Sequence, residues 1–324
     1  MAFPMPVAAP VAAPPAAPEL DAMLRTASAA AEAAGRFLRE RAGGRIEFRG
    51  KGSAGDVVSE LDLGAEQLIV RRLREAYPEI PVLAEESGLT QGGPLGADSG
   101  AAAGPSRWLW LVDPLDGTNN LAIGLAAYVV GVALCRDGEP VASAVHEPES
   151  GRTWRARLGG GLIGPGGRRF APADAAARAS ALPGAGMVGG PKPVVAWTQG
   201  YRVARADTGA GALKAVLERE ARRTLPLWAP LLGWTMLARG DIDAFVGYRP
   251  ELIDLPGGLL LAREAGMEVR TLTGHPFDAR LDQYAGPDAD LSFACATPEL
   301  MPQLLAWAKR ARDLEPEWAR VFEA

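Results

Sequence analysis

An apolar strand that ends in two aspartates places the strongest constraint on how this chain folds. The stretch Trp108–Asn119 reads WLWLVDPLDGTN, and its apolar half stops abruptly at Asp113 and Asp116. A buried strand that delivers carboxylates to its carboxyl end is a favourable place for a cation. The amides of Gly117 and Thr118 follow at once and can hold a phosphate. One loop therefore offers metal ligands, phosphate-binding amides and a hydroxyl.

The bulk composition is that of an ordinary globular protein. The chain has 324 residues, 48% of them hydrophobic, and a formal net charge of −5. This charge gives no reason to expect a nucleic-acid partner. The sequence holds no apolar run of about 18 residues, so we expect no membrane segment. Cys135 and Cys295 lie in apolar surroundings, and we expect both to be buried free thiols.

The chain divides into an arm and two halves. Residues 1–18 are almost all alanine, proline and valine, which is typical of a disordered or polyproline-like arm and not of a signal peptide. Residues 19–190 predict an N-terminal α+β half that carries the aspartate motif. Residues 191–324 alternate strands and helices and predict a C-terminal α/β half that completes the site. The glycine- and alanine-rich segment 87–106 predicts either a mobile loop or a lid.

Further carboxylates occur where predicted elements begin or end. Asp62 lies at the start of a predicted helix, Glu85 ends a predicted strand, and Asp254 lies at a loop-to-helix junction. Such oxygen ligands suit Mg²⁺, and two ions can polarise a phosphoryl group and generate a nucleophile from water. For Asp254 taken alone we favour helix capping over metal binding, because it also has the position of an N-cap residue. For Asp113 and Asp116 we favour the ligand interpretation, because they follow a buried strand.

Phosphatases with a nucleophilic aspartate offer a rival interpretation. Those enzymes use Asp-x-Asp-Gly-Thr, in which the two acids are two residues apart. Here Asp113 and Asp116 are three apart and separated by Pro114. This spacing argues against an aspartyl-phosphate intermediate.

The combination of motifs resembles the inositol monophosphatase family, a group of Mg²⁺-dependent, lithium-sensitive phosphatases. The similarity runs from about Leu20 to Trp307, and the combination is much more specific than any single piece. The matching motifs are Asp56-Val-Val-Ser-Glu-Leu-Asp62, Leu83-Ala-Glu-Glu-Ser87, Asp113-Pro-Leu-Asp-Gly-Thr118, Gly240-Asp-Ile-Asp-Ala-Phe245, Ile253-Asp254-Leu-Pro-Gly-Gly258 and Arg263-Glu-Ala-Gly266.

The resemblance implies a fold, a chemistry and a role for each matching residue. The fold is a layered α-β-α-β-α sandwich of the inositol monophosphatase and fructose-1,6-bisphosphatase type. The reaction is direct, in-line attack of a metal-activated water on a phosphomonoester, with two or three Mg²⁺ ions or Mn²⁺ as a substitute. A cytoplasmic homodimer that acts on a small phosphorylated metabolite is also implied. The implied first metal ligands are Glu85, Asp113 and the Leu115 carbonyl, the second set is Asp113, Asp116 and Asp254, the phosphate contacts are Gly117 and Thr118, and Thr118, Asp62 and Glu85 serve catalysis.

The chain departs from the family pattern where the alcohol part of a substrate would bind. Ile253 replaces a tryptophan, Trp228 and Pro230 stand where the family has Gly-Ser-Ala, and Gly247 stands where a glutamate is common. We therefore expect the main substrate to be a sugar, cyclitol or nucleotide monophosphate other than myo-inositol phosphate. The alternatives are a nucleotide 3′-phosphatase or bisphosphate phosphatase, and a homologue that binds a phosphorylated ligand without turnover. For Trp228 itself we favour a place in the core over one in the pocket.

Overall fold

The computed structural model describes residues 17–44, 46–51, 56–90, 108–170, 192–278, 280 and 290–322. All but the last two residues of the predicted arm, and most of the predicted lid segment, lie outside these ranges. Within the described ranges the helices are α1 (Ala17–Arg41), α2 (Glu60–Ala76), α3 (Thr118–Ala122), α4 (Thr208–Glu220), α5 (Pro230–Ala238), α6 (Leu255–Glu264) and α7 (Met301–Phe322), with 3₁₀ turns at Pro165–Gly167 and Leu252–Asp254.

The strands of the described ranges form two large sheets and one short hairpin. The hairpin pairs β1 (Phe48–Lys51) with β2 (Asp56–Ser59). The first large sheet has the order β10-β9-β8-β7-β6-β5-β3-β4, and the second has the order β12-β11-β13-β15-β14. Their bounds are β3 (Val82–Ala84), β4 (Gly88–Thr90), β5 (Trp108–Asp116), β6 (Val129–Arg136), β7 (Glu139–Glu147), β8 (Arg152–Arg157), β9 (Gly161–Ile163), β10 (Arg169–Phe170), β11 (Val194–Gln199), β12 (Arg223–Pro226), β13 (Ala244–Tyr248), β14 (Glu268–Thr271) and β15 (Phe293–Ala296).

These elements stack as five layers, which confirms the predicted α-β-α-β-α sandwich. Helices α1 and α2 cover the outer face of the eight-stranded sheet, because each presents a stripe of small and aliphatic residues to it. Helices α5 and α6 lie between the two sheets. Helices α4 and α7 cover the outer face of the five-stranded sheet.

The remaining bulk predictions have clear structural outcomes. Cys135 and Cys295 are free and buried, as predicted, and burial raises the pKa of both thiols. Among the described residues, no helix combines the length and the apolar character needed to cross a bilayer.

Two adjacent glycines of α6 set how closely the middle layer packs. A Cβ added at Gly258 would overlap the side chain of Trp234, which is fully buried and stacked on Phe293. A Cβ added at Gly257 would lie 3.2 Å from Ser143 Oγ, a tight contact that a small shift of the serine side chain relieves, and 3.5 Å from Ala133 Cβ, an ordinary contact. The rigid indole, and not the helix itself, therefore requires glycine at position 258.

We predict that Gly258→Ala lowers the free energy of unfolding by about 1–3 kcal/mol, because the indole has no room to move. Gly257→Ala is the matched control on the same helix. It should change stability by less than about 1 kcal/mol, since alanine also favours the helix. Chemical denaturation of both variants measures the difference. Equal denaturation midpoints for the two variants would contradict this account of the packing.

Candidate active site

A β-bulge in β5 brings the two motif aspartates to the same side of the sheet. In a regular strand, residues three apart point to opposite faces. Here Asp113 pairs with Gly131 and Asp116 pairs with Val129, so β5 has one residue more than β6 over this interval. The bulge contains Pro114, which a regular inner strand does not tolerate. The proline between the aspartates thus helps to give both carboxylates a common direction.

The parallel pairing of β3 with β5 brings a third carboxylate to the site. Ala84 pairs with Val112, and the Glu85 amide donates to the Val112 carbonyl at 3.1 Å. Glu85 therefore leaves β3 beside Asp113, at the carboxyl ends of two neighbouring strands. Its carboxyl group is hydrogen-bonded to that of Asp113.

Asp254 completes the cluster from the opposite layer. It ends a 3₁₀ turn and stands at the N-cap position of α6, but its side chain does not cap the helix. One carboxylate oxygen from each of Asp113, Asp116 and Asp254 lies within 4.8 Å of the others. Of the two interpretations for Asp254, this arrangement favours the ligand.

The amino end of α5 holds Asp116 from across the layers, a contact that the sequence did not reveal. The residue before this helix is Ala229, whose side chain offers no cap. The Leu232 amide instead donates to Asp116 Oδ2 at 3.0 Å. The amide hydrogen bonds and the positive end of the helix dipole favour the charged form of the carboxylate. Asp116 thus caps a helix that lies more than 100 residues later in the chain.

The electrostatics of the cluster call for a cation. Burial raises the pKa of Asp113 well above its ordinary value, and the charges of Glu85, Asp116 and Asp254 raise it further. Burial also raises the pKa of Asp116, although the α5 amides oppose this shift. Buried carboxylates that repel one another are stable in their charged form only when a positive charge joins them. The donor set is all oxygen, which suits Mg²⁺ or Mn²⁺.

A second hydrogen-bonded group lies beside the carboxylates. The Thr118 hydroxyl is 2.7 Å from Asp62 Oδ1 and 3.0 Å from the Leu115 carbonyl. Asp62 is only 1% exposed, and its other oxygen accepts from the Ser59 amide at 2.8 Å. The capping box that starts α2 therefore fixes Asp62, and Asp62 in turn fixes the Thr118 hydroxyl.

The loop that follows Asp116 has room for no side chain at its first residue. Gly117 has φ = +105°, a conformation that favours glycine. A Cβ at this position would lie 2.8 Å from the Ala127 carbonyl oxygen and 3.1 Å from Ala229 Cβ. Thr118 then begins the short helix α3.

Glu66 supports the site, and the sequence analysis missed it. Its buried carboxylate accepts from the Glu86 amide at 2.8 Å and from the Ser87 amide at 3.0 Å. It therefore anchors the loop that carries Glu85. The available signal was its position four residues after Asp62, on the same face of α2.

The four predicted pocket residues have different surroundings. Trp228 is 56% exposed, so our expectation that it belongs to the core was wrong. Pro230 begins α5. Ile253 packs against the small apolar cluster of Leu111 on the first sheet. Gly247 is buried in β13, and a side chain there would run into Phe293.

Comparison with known proteins assigns the family. The inositol monophosphatase family matches residues 19–306. The inositol-1-monophosphatase SuhB of Mycobacterium tuberculosis is 33% identical over 301 residues, which cover 90% of this chain and 92% of that protein. A Nus factor SuhB of Pseudomonas aeruginosa is 31% identical over 227 residues, 69% of this chain and 76% of that protein. The chain belongs to the inositol monophosphatase family, and it is a phosphatase.

The fold agrees with this assignment. The crystal structure of the extragenic suppressor protein suhB from Bartonella henselae matches with a TM-score of 0.70 at 24% identity. The match covers 89% of this chain and 98% of that one.

We predict that Asp113→Asn stabilises the metal-free protein and removes its stabilisation by Mg²⁺. The amide is neutral, so it relieves the repulsion at the cluster, and its oxygen still accepts the Leu115 amide that Asp113 holds at 3.1 Å. In EDTA the unfolding temperature should rise by about 2–4 °C for each kcal/mol recovered. Thermal unfolding with and without Mg²⁺ measures both effects, and Glu299→Gln, on an exposed turn, is the control. A less stable variant in EDTA would contradict the predicted repulsion.

The stability difference between Asp113→Asn and the unaltered protein should also depend on pH. A carboxyl whose pKa is raised by folding stabilises the fold below its unfolded pKa of about 3.9, and this stability is lost as the pH rises through the folded value. The asparagine does not titrate. In EDTA, therefore, the advantage of the variant should grow as the pH rises from 4 towards 8. A difference that is constant over this range would mean that Asp113 has an ordinary pKa.

Proposed function

We propose that the chain is a Mg²⁺-dependent phosphomonoesterase that hydrolyses a small sugar, cyclitol or nucleotide monophosphate by direct attack of water. The observation that carries this proposal is that carboxylate oxygens of Asp113, Asp116 and Asp254 lie within 4.8 Å of one another. Glu85 is hydrogen-bonded to Asp113 beside them. Hard oxygen ligands and a raised pKa at the centre of the cluster fit Mg²⁺ better than any neutral ligand. Mg²⁺ held by these residues would neutralise negative charge on the phosphoryl oxygens and would lower the pKa of a bound water.

The residues around the cluster have separate tasks in this proposal. Asp113, Asp116, Asp254, Glu85 and the Leu115 carbonyl hold the ions, and the α5 amides keep Asp116 oriented. The amides of the loop after Asp116 receive the phosphate, and its glycine lets the backbone approach closely.

The Thr118 hydroxyl orients the attacking water in this proposal. Because Asp62 accepts from this hydroxyl at 2.7 Å, the oxygen of Thr118 is directed as an acceptor towards the water. We propose no covalent bond between a side chain and phosphorus, because the bulge directs both β5 aspartates towards the same proposed cation.

Two other functions stay open as alternatives. The exposed Trp228 favours a nucleotide 3′-phosphatase or bisphosphate phosphatase, because an aromatic surface suits a base. Some relatives are named Nus factor SuhB, so the second alternative is a role other than catalysis, such as the predicted homologue that binds a phosphorylated ligand without turnover. The carboxylate cluster and the Thr118–Asp62 hydrogen bond support catalysis over a non-catalytic role. The homodimer and the cytoplasmic location stay predictions.

Phosphate release from a panel of esters tests the proposed function. The panel contains sugar, cyclitol, nucleotide and glycerol phosphates, each assayed with Mg²⁺ and with EDTA. We expect release that requires Mg²⁺ and that Asp113→Asn abolishes. Release that continues in EDTA, or none from any ester in folded protein that binds Mg²⁺, would refute the proposal.

We predict that Thr118→Ala lowers kcat by about 10²-fold, because the water loses its positioning acceptor. Thr118→Ser keeps the hydroxyl and should stay within about tenfold of the unaltered enzyme. The unfolding temperature of both variants, measured alongside, separates catalysis from folding. Equal kcat values for the alanine and serine variants would remove Thr118 from the mechanism.

A further inference from the structure

The structure offers an aromatic surface beside the phosphate loop that the reaction itself does not require. We propose that Trp228 and Tyr201 form a platform on which a flat ring of the substrate stacks, so that the substrate class is the nucleoside phosphates. This inference rests on the proposed function and deepens it.

Tyr201 is tied directly to the phosphate loop. It follows β11, and its hydroxyl accepts a hydrogen bond from Asn119 Nδ2 at 3.0 Å. Asn119 is the residue after Thr118 and belongs to α3. Tyr201 is 37% exposed, which leaves part of the residue accessible next to the place where the phosphate is proposed to bind. The hydrogen bond fixes one end of the ring and restricts its motion.

Trp228 reaches the same loop from the neighbouring strand. It follows β12, which runs parallel to β11 with Trp197 opposite Pro226. The next residue, Ala229, is buried, and its Cβ lies 3.1 Å from the position that a Cβ of Gly117 would occupy. Ligands of open parallel sheets bind outside the carboxyl ends of the strands. Trp228 and Tyr201 leave two adjacent strands at that edge.

The exposure of Trp228 distinguishes it from the other tryptophans of the second half. Trp197 and Trp234 are buried and stack on Tyr248 and Phe293. Trp228 instead leaves 56% of its surface in solvent. A large aromatic side chain that folding leaves uncovered beside a binding site is suited to cover a ligand.

The described residues favour a flat ring over a polyol as the part of the substrate that lies beside the platform. Gly247 has no side chain, and a Cβ there would meet the buried ring of Phe293, so this position offers no carboxylate to substrate hydroxyl groups. A substrate with a flat, weakly hydrated surface gains more from the two exposed aromatic residues than a cyclitol does. Purine and pyrimidine bases have such surfaces, and stacking on aromatic side chains is a common way to bind them.

Kinetic selectivity tests the platform. The full chain is assayed with Mg²⁺ on adenosine 3′-monophosphate and on glycerol 2-phosphate, and the readout is the ratio of the two kcat/KM values. Trp228→Leu should lower this ratio by about 10- to 100-fold, mainly through KM for the nucleotide. Trp228→Phe should retain most of the ratio, and Tyr201→Leu should lower it. Leu158→Ala, at another exposed apolar position, is the control and should leave it unchanged.

A binding measurement separates this inference from the proposed function. Ligand-observed NMR follows adenosine, which carries the ring without the phosphate, on the unaltered protein and on Trp228→Leu. Weaker binding of adenosine to the variant would support the platform. If no ester were hydrolysed as well, that second result would refute the phosphatase mechanism and leave the platform supported. Equal binding of adenosine to both proteins, or a selectivity ratio that Trp228→Leu leaves unchanged, would overturn the platform.

Discussion

The burial of like charges at the end of β5 is the constraint on which the rest of this structure depends. Asp113 and Asp116 are almost inaccessible, and both have a raised pKa because burial disfavours their charge. An uncompensated pair of this kind would destabilise any fold. The amide of Leu232 offsets part of this cost, and the remaining negative charge is what the proposed cation would balance. The packing that joins the layers is therefore the same packing that buries the carboxylates of the proposed cation site.

The five-layer arrangement brings the groups of this cluster together. The first sheet supplies Glu85 and the two β5 aspartates, the middle layer supplies Asp254 and the amino end of α5, and α2 supplies Asp62. No single layer contains a complete site. Because each layer buries an apolar face against the next, the cores hold these oxygen atoms at fixed positions. Precise placement of ligands by a rigid scaffold is the condition for metal-assisted phosphoryl chemistry.

The sequence was sufficient to predict the five layers and the meeting of Asp113, Asp116 and Asp254, because the informative residues lie at element boundaries. Asp113 and Asp116 follow an apolar run, and such a boundary can be recognised locally. Contacts between distant residues could not be predicted in this way. The capping of Asp116 by α5, the anchoring role of Glu66 and the exposure of Trp228 all depend on how separate layers meet. Local patterns contain no information on these contacts.

The central claim is that the clustered carboxylates bind divalent cations, and the most direct measurement is a crystal structure of the protein grown with Mn²⁺. Anomalous scattering at the manganese edge locates the ions without assumptions about ligands. The account predicts at least one peak at about 2.1–2.2 Å from oxygen atoms of Asp113 and of Asp116 or Asp254, with the Glu85–Asp113 hydrogen bond broken. A map without a peak at this cluster, in which the Glu85–Asp113 bond persists at saturating Mn²⁺, would contradict it.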